Sequence, residues 1–235
     1  AVPVPAPPLA ALAAPAAPRE PAQVATFSLY LRPRLVGPAQ LAMLPQSEAA
    51  AWAAVWAAAA AQQAKVWGGL HVTLCSFAPK LGTSASGHHG GSLTKTLRDA
   101  GEAARQVYVA HGQPPSSRWQ LSSQDHLSWY RRKGIVMIKL PTTNPVLDCL
   151  AATIRQRGMV NARASSDYHV TLGDVSQLPP LPPPTTYPPD DAPPEPLPDP
   201  LAADLRAATW SLVVTKMVAG AVCIGPDREE VVLAW

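Results

Sequence analysis

Two identical tetrapeptides contain the residues of this chain that are best suited to catalysis. The sequence His-Val-Thr-Leu occurs at residues 71–74 and again at 169–172, so the two histidines are 98 positions apart. Side chains two apart on a β-strand point to the same face, so each histidine projects with its threonine while Val and Leu point into a core. Two such strands side by side would supply an acid, a base and two oxyanion donors without a metal.

The surrounding sequence predicts that both tetrapeptides lie on β-strands, each preceded by a helix. We expect strands at 26–31, 70–77, 135–140 and 167–172, a strand or hairpin at 119–130, terminal strands at 209–215, 219–224 and 230–234, and helices at 38–65, 93–108 and 145–157. Trp52 and Trp56, one helical turn apart, are expected to pack into the core. The order strand, helix, motif strand occurs twice, which predicts two similar α+β lobes whose motifs face each other at the junction.

Proline is concentrated in two stretches. Of the 28 prolines, seven lie in residues 1–22 and twelve in 178–200. We expect residues 1–24 to be a disordered Ala/Pro-rich tail and 178–200 to be a flexible or polyproline-like insertion in a domain that spans 25–235. This insertion has four acidic residues and no Lys or Arg, so the rest of the chain is mildly basic, which suits a ligand that carries phosphate.

The cysteines and the apolar runs indicate the cellular setting. Three scattered cysteines form neither an even set nor a CxxC pair, which favours a reducing compartment. The Ala-rich run at 49–61 is too short and too weakly hydrophobic to span a membrane. We expect a monomeric intracellular protein that does not bind membranes, located in the cytoplasm, with the nucleus or an organelle left open.

A third segment, His126-Leu127-Ser128-Trp129, also fits the pattern of His, apolar, Ser/Thr, apolar. No helix is expected before it and a basic turn follows it, so we interpret His126 as outside the site. His88 and His89 lie in a Gly/Ser loop without the spacing of a metal site, and no cofactor is expected.

The two motif segments, Gly68–Phe77 and Asp167–Val175, together with the opening strand Ala25–Pro33, resemble the two-histidine phosphoesterase superfamily. This superfamily includes RNA 2′,3′-cyclic phosphodiesterase/ligases and plant cyclic phosphodiesterases. The resemblance covers about residues 25–175 and plausibly the terminal strands. It implies two pseudo-symmetric lobes, each an antiparallel sheet with helices on its outer face, with the motif strands facing a central cleft.

The resemblance also implies an activity. His71 and His169 would be the acid and base that open a 2′,3′-cyclic phosphate at an RNA end or on a nucleotide, and Thr73 and Thr171 would bind the phosphate oxygens. Because the motifs are identical, the sequence does not assign acid and base. Two alternatives stay open: a phosphodiesterase for 2′–5′ oligonucleotides or RNA 3′ ends, and a non-catalytic nucleotide- or RNA-binding module.

Aromatic side chains near the motifs are candidates for stacking on a nucleotide base. They are Tyr168, Trp129 and Tyr130, with Trp67 as a further one. Tyr168 alternates to the opposite face from His169, which favours packing. The basic turn at 131–133 could meet RNA phosphates, and the Pro-rich run at 179–184 could dock a protein partner, although a solvated turn and a simple linker are the more ordinary interpretations.

Overall fold

The computed structural model describes residues 26–35, 43–78, 102, 106, 109–110, 112, 121–141, 160–164, 168–218, 221–222 and 230–233. This part of the chain forms an α+β structure with two antiparallel sheets. The tail at 1–24, the loop with His88 and His89, the helix expected at 145–157 and most of the helix expected at 93–108 lie outside the described residues.

Ten strands and two helices have described bounds. The strands are β1 (Thr26–Arg34), β2 (Val72–Ala78), β3 (Ser128–Arg132), β4 (Ile135–Lys139), β5 (Val160–Ala164), β6 (His169–Asp174), β7 (Glu195–Pro196), β8 (Thr209–Val218), β9 (Ala221–Val222) and β10 (Glu230–Leu233), and the helices are α1 (Gln46–Trp67) and α2 (Asp199–Ala207). The sequence analysis did not predict β5, β7 or α2.

The two motif strands belong to different sheets. The first sheet has the order β10-β8-β1-β2-β5, with β9 paired to β8, and the second has the order β6-β4-β3-β7. Thus β2 lies between two neighbours, whereas β6 is at the end of its sheet among the described strands. The sheets have six and four strands, and the pseudo-symmetry of the two lobes stays a prediction.

Strand β1 extends to Arg34, past residue 31 where the sequence predicted its end. Leu29 and Leu31 are buried, and Pro33 is part of the ladder with β8. The pairing of β1 with β2 ends at Leu31, so at Pro33 the strand has a partner on one side only. A proline is tolerated at such an edge because its missing N–H need not serve a second ladder.

Helix α1 begins directly after Pro45, where the run expected at 38–65 contains a proline that can break a helix. It ends at Trp67, and the following Gly68 adopts the left-handed conformation typical of a helix C-terminus. Trp52 and Trp56 are buried, which confirms that this pair packs into the core. Trp56 Nε1 donates a hydrogen bond of 2.8 Å to Asp204 Oδ2, which links α1 to α2. Burial raises the pKa of the Asp204 carboxyl, and the bond from Trp56 opposes that rise.

The Pro-rich segment packs onto the second sheet, which corrects the expectation of a flexible linker. Leu178 and Leu197 join the hydrophobic core, and residues 195–196 pair with β3. Tyr187 packs against Trp129, with ring centroids 5.9 Å apart, and donates a hydrogen bond to the Pro179 carbonyl. This packing buries the Tyr187 phenol enough to raise its pKa to about 12. Leucines and a tyrosine between the prolines provide the apolar surface that composition alone did not reveal.

One acidic residue of this segment, Asp190, contacts the turn of the β3–β4 hairpin. The two-residue turn is formed by Lys133 and Gly134, which have φ angles of 51° and 78°. Asp190 Oδ1 accepts a hydrogen bond from the Gly134 backbone N–H and lies 3.6 Å from Arg131 Nε. The basic turn is therefore partly neutralised by the neighbouring segment.

Within the described ranges, no helix is both long and apolar enough to cross a membrane.

Candidate active site

Both tetrapeptides fold with the predicted alternation. Val72, Leu74, Val170 and Leu172 are fully buried, whereas Thr73 and Thr171 are half-buried. The apolar side chains anchor each strand in the single core that the two sheets share. Each threonine is consequently held on the face opposite its buried neighbours, together with the histidine two residues before it.

A β-bulge occurs at the same position of both motifs. On β2, Thr73 pairs with Tyr30 and Cys75 pairs with Leu29, so Leu74 is the extra residue. On β6, Thr171 pairs with Met137 and Gly173 with Val136, so Leu172 is the extra residue. A bulge bends a strand and changes the direction of its side chains. The two motifs therefore share a local backbone irregularity immediately after the threonine.

The strands that pair with the two motifs also correspond residue by residue. The partner of Val72 is Leu31, the last pair of this ladder; His71 immediately precedes Val72, and Arg32 immediately follows Leu31 on β1. In the second sheet the partner of Val170 is Ile138, and His169 lies directly opposite Lys139. Lys139 is thus the cross-strand neighbour of His169, and Arg32 lies close enough to His71 for its charge to act on the imidazole. Cβ atoms of directly opposite residues are about 4.5–5.5 Å apart.

The fold brings the two motifs together. Strand β2 lies against β6, with Cα atoms within 8 Å. Burial lowers the pKa of His71 from 6.5 to about 4, and the charges of His169 and Arg32 contribute in the same direction, against the effect of a hydrogen bond to Gly69. His71, His169 and Arg32 are therefore close enough to influence one another electrostatically.

Contacts on three sides hold the His71 ring, which is 7% exposed. Trp67 stacks on it with ring centroids 4.6 Å apart, and the edge of Tyr30 meets it at 5.6 Å. Nδ1 lies 3.2 Å from the carbonyl oxygen of Gly69. Since a carbonyl only accepts hydrogen bonds, Nδ1 is the donor, and Nε2 has the lone pair in the neutral ring.

Helix α1 positions both motifs through its last two turns. Trp67, its final residue, covers His71. Five residues earlier, Gln62 Oε1 accepts a hydrogen bond of 2.8 Å from the Asp174 backbone N–H, at the end of β6. Gly173 has a φ of 134°, and a side chain there would collide with the Gln62 carboxamide, so glycine is needed for this close approach.

A chain of hydrogen bonds fixes Tyr30 and Arg32 beside His71. Arg32 Nη2 donates to Tyr30 Oη at 2.9 Å, and the guanidinium carbon lies 5.6 Å from the centroid of the Tyr30 ring. Tyr30 Oη is 2.8 Å from Thr215 Oγ1 on β8. The two hydroxyls share a hydrogen bond, in which either oxygen can be the donor. The arginine is therefore held in place by two neighbouring strands.

Of the aromatic candidates for substrate binding, the structure leaves Tyr130 on the relevant face. Trp129 and Tyr168 are buried in the core, so they present no surface for a base, and we remove them from the site. Tyr130 is half-buried and pairs with Met137, which in turn pairs with Thr171. Trp67, the further candidate, stacks on the ring of His71.

His126 lies outside this constellation. It is exposed and precedes β3, which β4 separates from β6. The sequence also favours a position outside the site, because no helix is expected before His126 and a basic turn follows it.

Sequence reasoning missed three residues of the site: Tyr30, Arg32 and Lys139. A signal was present for the first two, because polar residues alternate with leucines along β1 and so mark a second functional face. Lys139 gave no such signal, because only the pairing of β4 with β6 places it opposite His169.

No protein-family model matches this chain, and no curated protein matches it either. Among the residues that the structure describes, no group of three or more His, Cys, Asp or Glu side chains could hold a metal ion. The chemistry available to the described site is that of imidazoles, hydroxyls and cations.

Proposed function

We propose that this protein is a phosphodiesterase of the two-histidine type that hydrolyses 2′,3′-cyclic phosphates of RNA ends or nucleotides. The observation that supports this most directly is the meeting of two identical, identically bulged His-Val-Thr-Leu strands from different sheets. In this proposal the two sheets form pseudo-symmetric lobes around a central cleft, with both motifs facing the substrate.

We assign the base to His71 and the acid to His169. His71 is neutral at physiological pH because burial lowers its pKa to about 4, and its hydrogen bond to Gly69 leaves Nε2 free to accept a proton. His169 is less buried, so solvent can return a proton to it after each turnover. An anionic phosphate beside His71 favours the cationic ring, which raises its pKa in the complex and makes it a stronger base.

The reaction follows from this assignment. His71 Nε2 takes a proton as the oxygen of a water molecule attacks phosphorus, and the P–O bond to one ribose oxygen breaks in line with the attack. His169 gives a proton to that leaving oxygen, so the product is a ribose phosphomonoester with one free hydroxyl. Thr73 and Thr171 donate hydrogen bonds to the non-bridging oxygens, where negative charge increases in the transition state.

The test is hydrolysis of 2′,3′-cyclic AMP in excess EDTA by the full chain and by His71→Ala, His169→Ala and His126→Ala. We expect turnover to be lost in the first two variants and retained in the third, which has the same kind of sequence context outside the site. Turnover that survives both motif substitutions would refute the proposal.

Absence of turnover by a correctly folded wild-type protein would refute this substrate. It would direct attention to the alternatives, 2′–5′ oligonucleotides, RNA 3′ ends or a binding role.

A further inference from the structure

Basic residues occupy equivalent positions beside the two motifs. Arg32 follows the β1 residue that pairs with Val72, and Lys139 pairs with His169 itself. Lys139 shares a face with His169 because the two are directly paired, and Arg32 shares a face with Thr73 because it is two residues from Tyr30, the partner of Thr73. The arrangement is repeated although the partner strands, β1 and β4, have different sequences.

We propose that Arg32 and Lys139 are phosphate-binding residues that clamp the phosphoryl group from both sides of the site. This inference rests on the proposed function for its substrate, but the binding of an anion does not depend on turnover. During hydrolysis of a cyclic phosphodiester the phosphoryl group changes from a monoanion to a dianion. Two cations at the site are complementary to that increase in negative charge.

The two cations differ in how firmly they are held. Arg32 is part-buried, bonded to Tyr30 and supported through Tyr30 by Thr215. Lys139 is half-buried and pairs with His169. We therefore expect Arg32 to contribute more to phosphate binding than Lys139, because less side-chain freedom is lost when it binds.

The electrostatic effect of Arg32 on His71 supports the placement independently of the ladder. The positive charge of Arg32 is among the causes that lower the pKa of the His71 imidazole. An anion that contacts the accessible edge of His71 is therefore also near the guanidinium. A cation at this point favours a neutral His71 in the free protein and attracts the substrate anion.

The experiment measures binding of inorganic phosphate to the full chain by the shifts of the imidazole NMR signals, with Arg32→Ala, Lys139→Ala and the double variant. Arg132→Ala is the matched control, because it removes one exposed cation at the far end of the β3–β4 hairpin. We expect the dissociation constant to rise about 10- to 100-fold in Arg32→Ala, less in Lys139→Ala and most in the double variant. It should change less than about twofold in the control, where only screened long-range attraction is lost.

Arg32→Lys keeps the positive charge but loses the planar set of guanidinium N–H donors. It should bind phosphate with an affinity between those of wild type and Arg32→Ala. It replaces Arg32→Ala in the comparison if thermal unfolding shows that the alanine variant does not fold. If folded Arg32 and Lys139 variants bind phosphate as tightly as Arg132→Ala does, the proposal is wrong.

Measuring phosphate binding and hydrolysis separately distinguishes failure of the phosphate clamp from failure of the proposed activity. Phosphate binding that depends on both cations, without hydrolysis of any cyclic phosphate, supports the clamp and refutes the activity. Hydrolysis with unchanged KM and kcat in folded Arg32→Ala and Lys139→Ala supports the activity and refutes the clamp.

Discussion

His71 and His169 belong to the same tetrapeptide, yet their surroundings differ. His71 immediately precedes β2 and is enclosed by Trp67, Tyr30 and the Gly69 carbonyl. His169 is half-buried on the terminal strand of the smaller sheet. The identical tetrapeptides thus share the position of the bulge, while neighbouring elements set the electrostatic properties of each ring. A symmetric sequence motif can in this way supply two different chemical roles.

The largest effect is expected from removal of either imidazole. His71→Ala and His169→Ala should each reduce kcat for 2′,3′-cyclic AMP by about 10²–10⁴, the usual contribution of one acid or base. Only His71→Ala should also lower the free energy of unfolding, by about 1–3 kcal/mol, because His71 is packed in the structure. Steady-state kinetics and urea unfolding of both variants measure this difference. Equal stability losses would show that the two environments are more alike than described.

The two threonines should behave alike. Thr73→Val and Thr171→Val each remove one donor to the phosphate and should lower kcat by about 10²–10³. Thr→Ser at either position keeps the hydroxyl and should retain most of the activity. A loss confined to one threonine, measured in the same assay, would break the equivalence of the two motif strands.

The pH profile should reveal the special state of His71. The reaction needs this ring neutral, so the acidic limb of kcat/KM should lie at a pH of about 4. The acidic limb of kcat should lie at a higher pH, because bound phosphate raises the pKa of His71. Trp67→Ala exposes the ring to water, which should move the kcat/KM limb towards 6.5. An acidic limb near 6.5 in wild type would contradict the assignment of His71 as the base.

Stability should depend on pH through the same histidine. The unfolded chain protonates His71 below pH 6.5, whereas the folded chain resists protonation down to about pH 4. Folding stability is therefore complete above pH 6.5 and declines as pH falls through this window, by about 3 kcal/mol in total. His71→Gln should remove this part of the decline, as measured by urea unfolding at pH 7 and pH 4. A decline of the same size in His71→Gln would assign it to other groups.

The smallest expected effect is on the stability contributed by helix α1, which contacts both motifs. Gln62→Ala removes the acceptor for the Asp174 N–H and should lower the free energy of unfolding by about 1 kcal/mol. Lys65→Ala, at an exposed position of the same helix, is the control and should change it little. Thermal unfolding of the two variants measures the difference. Equal free energies of unfolding would show that the hydrogen bond from Asp174 to Gln62 does not stabilise the position of β6.

The alternation of apolar and polar residues in each tetrapeptide was sufficient to predict both motif strands and their buried faces. It was also sufficient to predict the core position of Trp52 and Trp56, because periodicity directly reports which side chains leave water. The prediction failed for residues 178–200, where proline content concealed the leucines and the tyrosine that pack onto the second sheet.

By itself, the sequence determined which side chains point together on each motif strand, since that follows from the two-residue repeat of β-structure. Only the tertiary structure decided which basic residue lies opposite each histidine and which histidine is buried, because strand pairing and the position of α1 join residues that are far apart in the chain. Burial and neighbouring charge, which set the pKa of an imidazole, are properties of that assembly and have no local sequence signature.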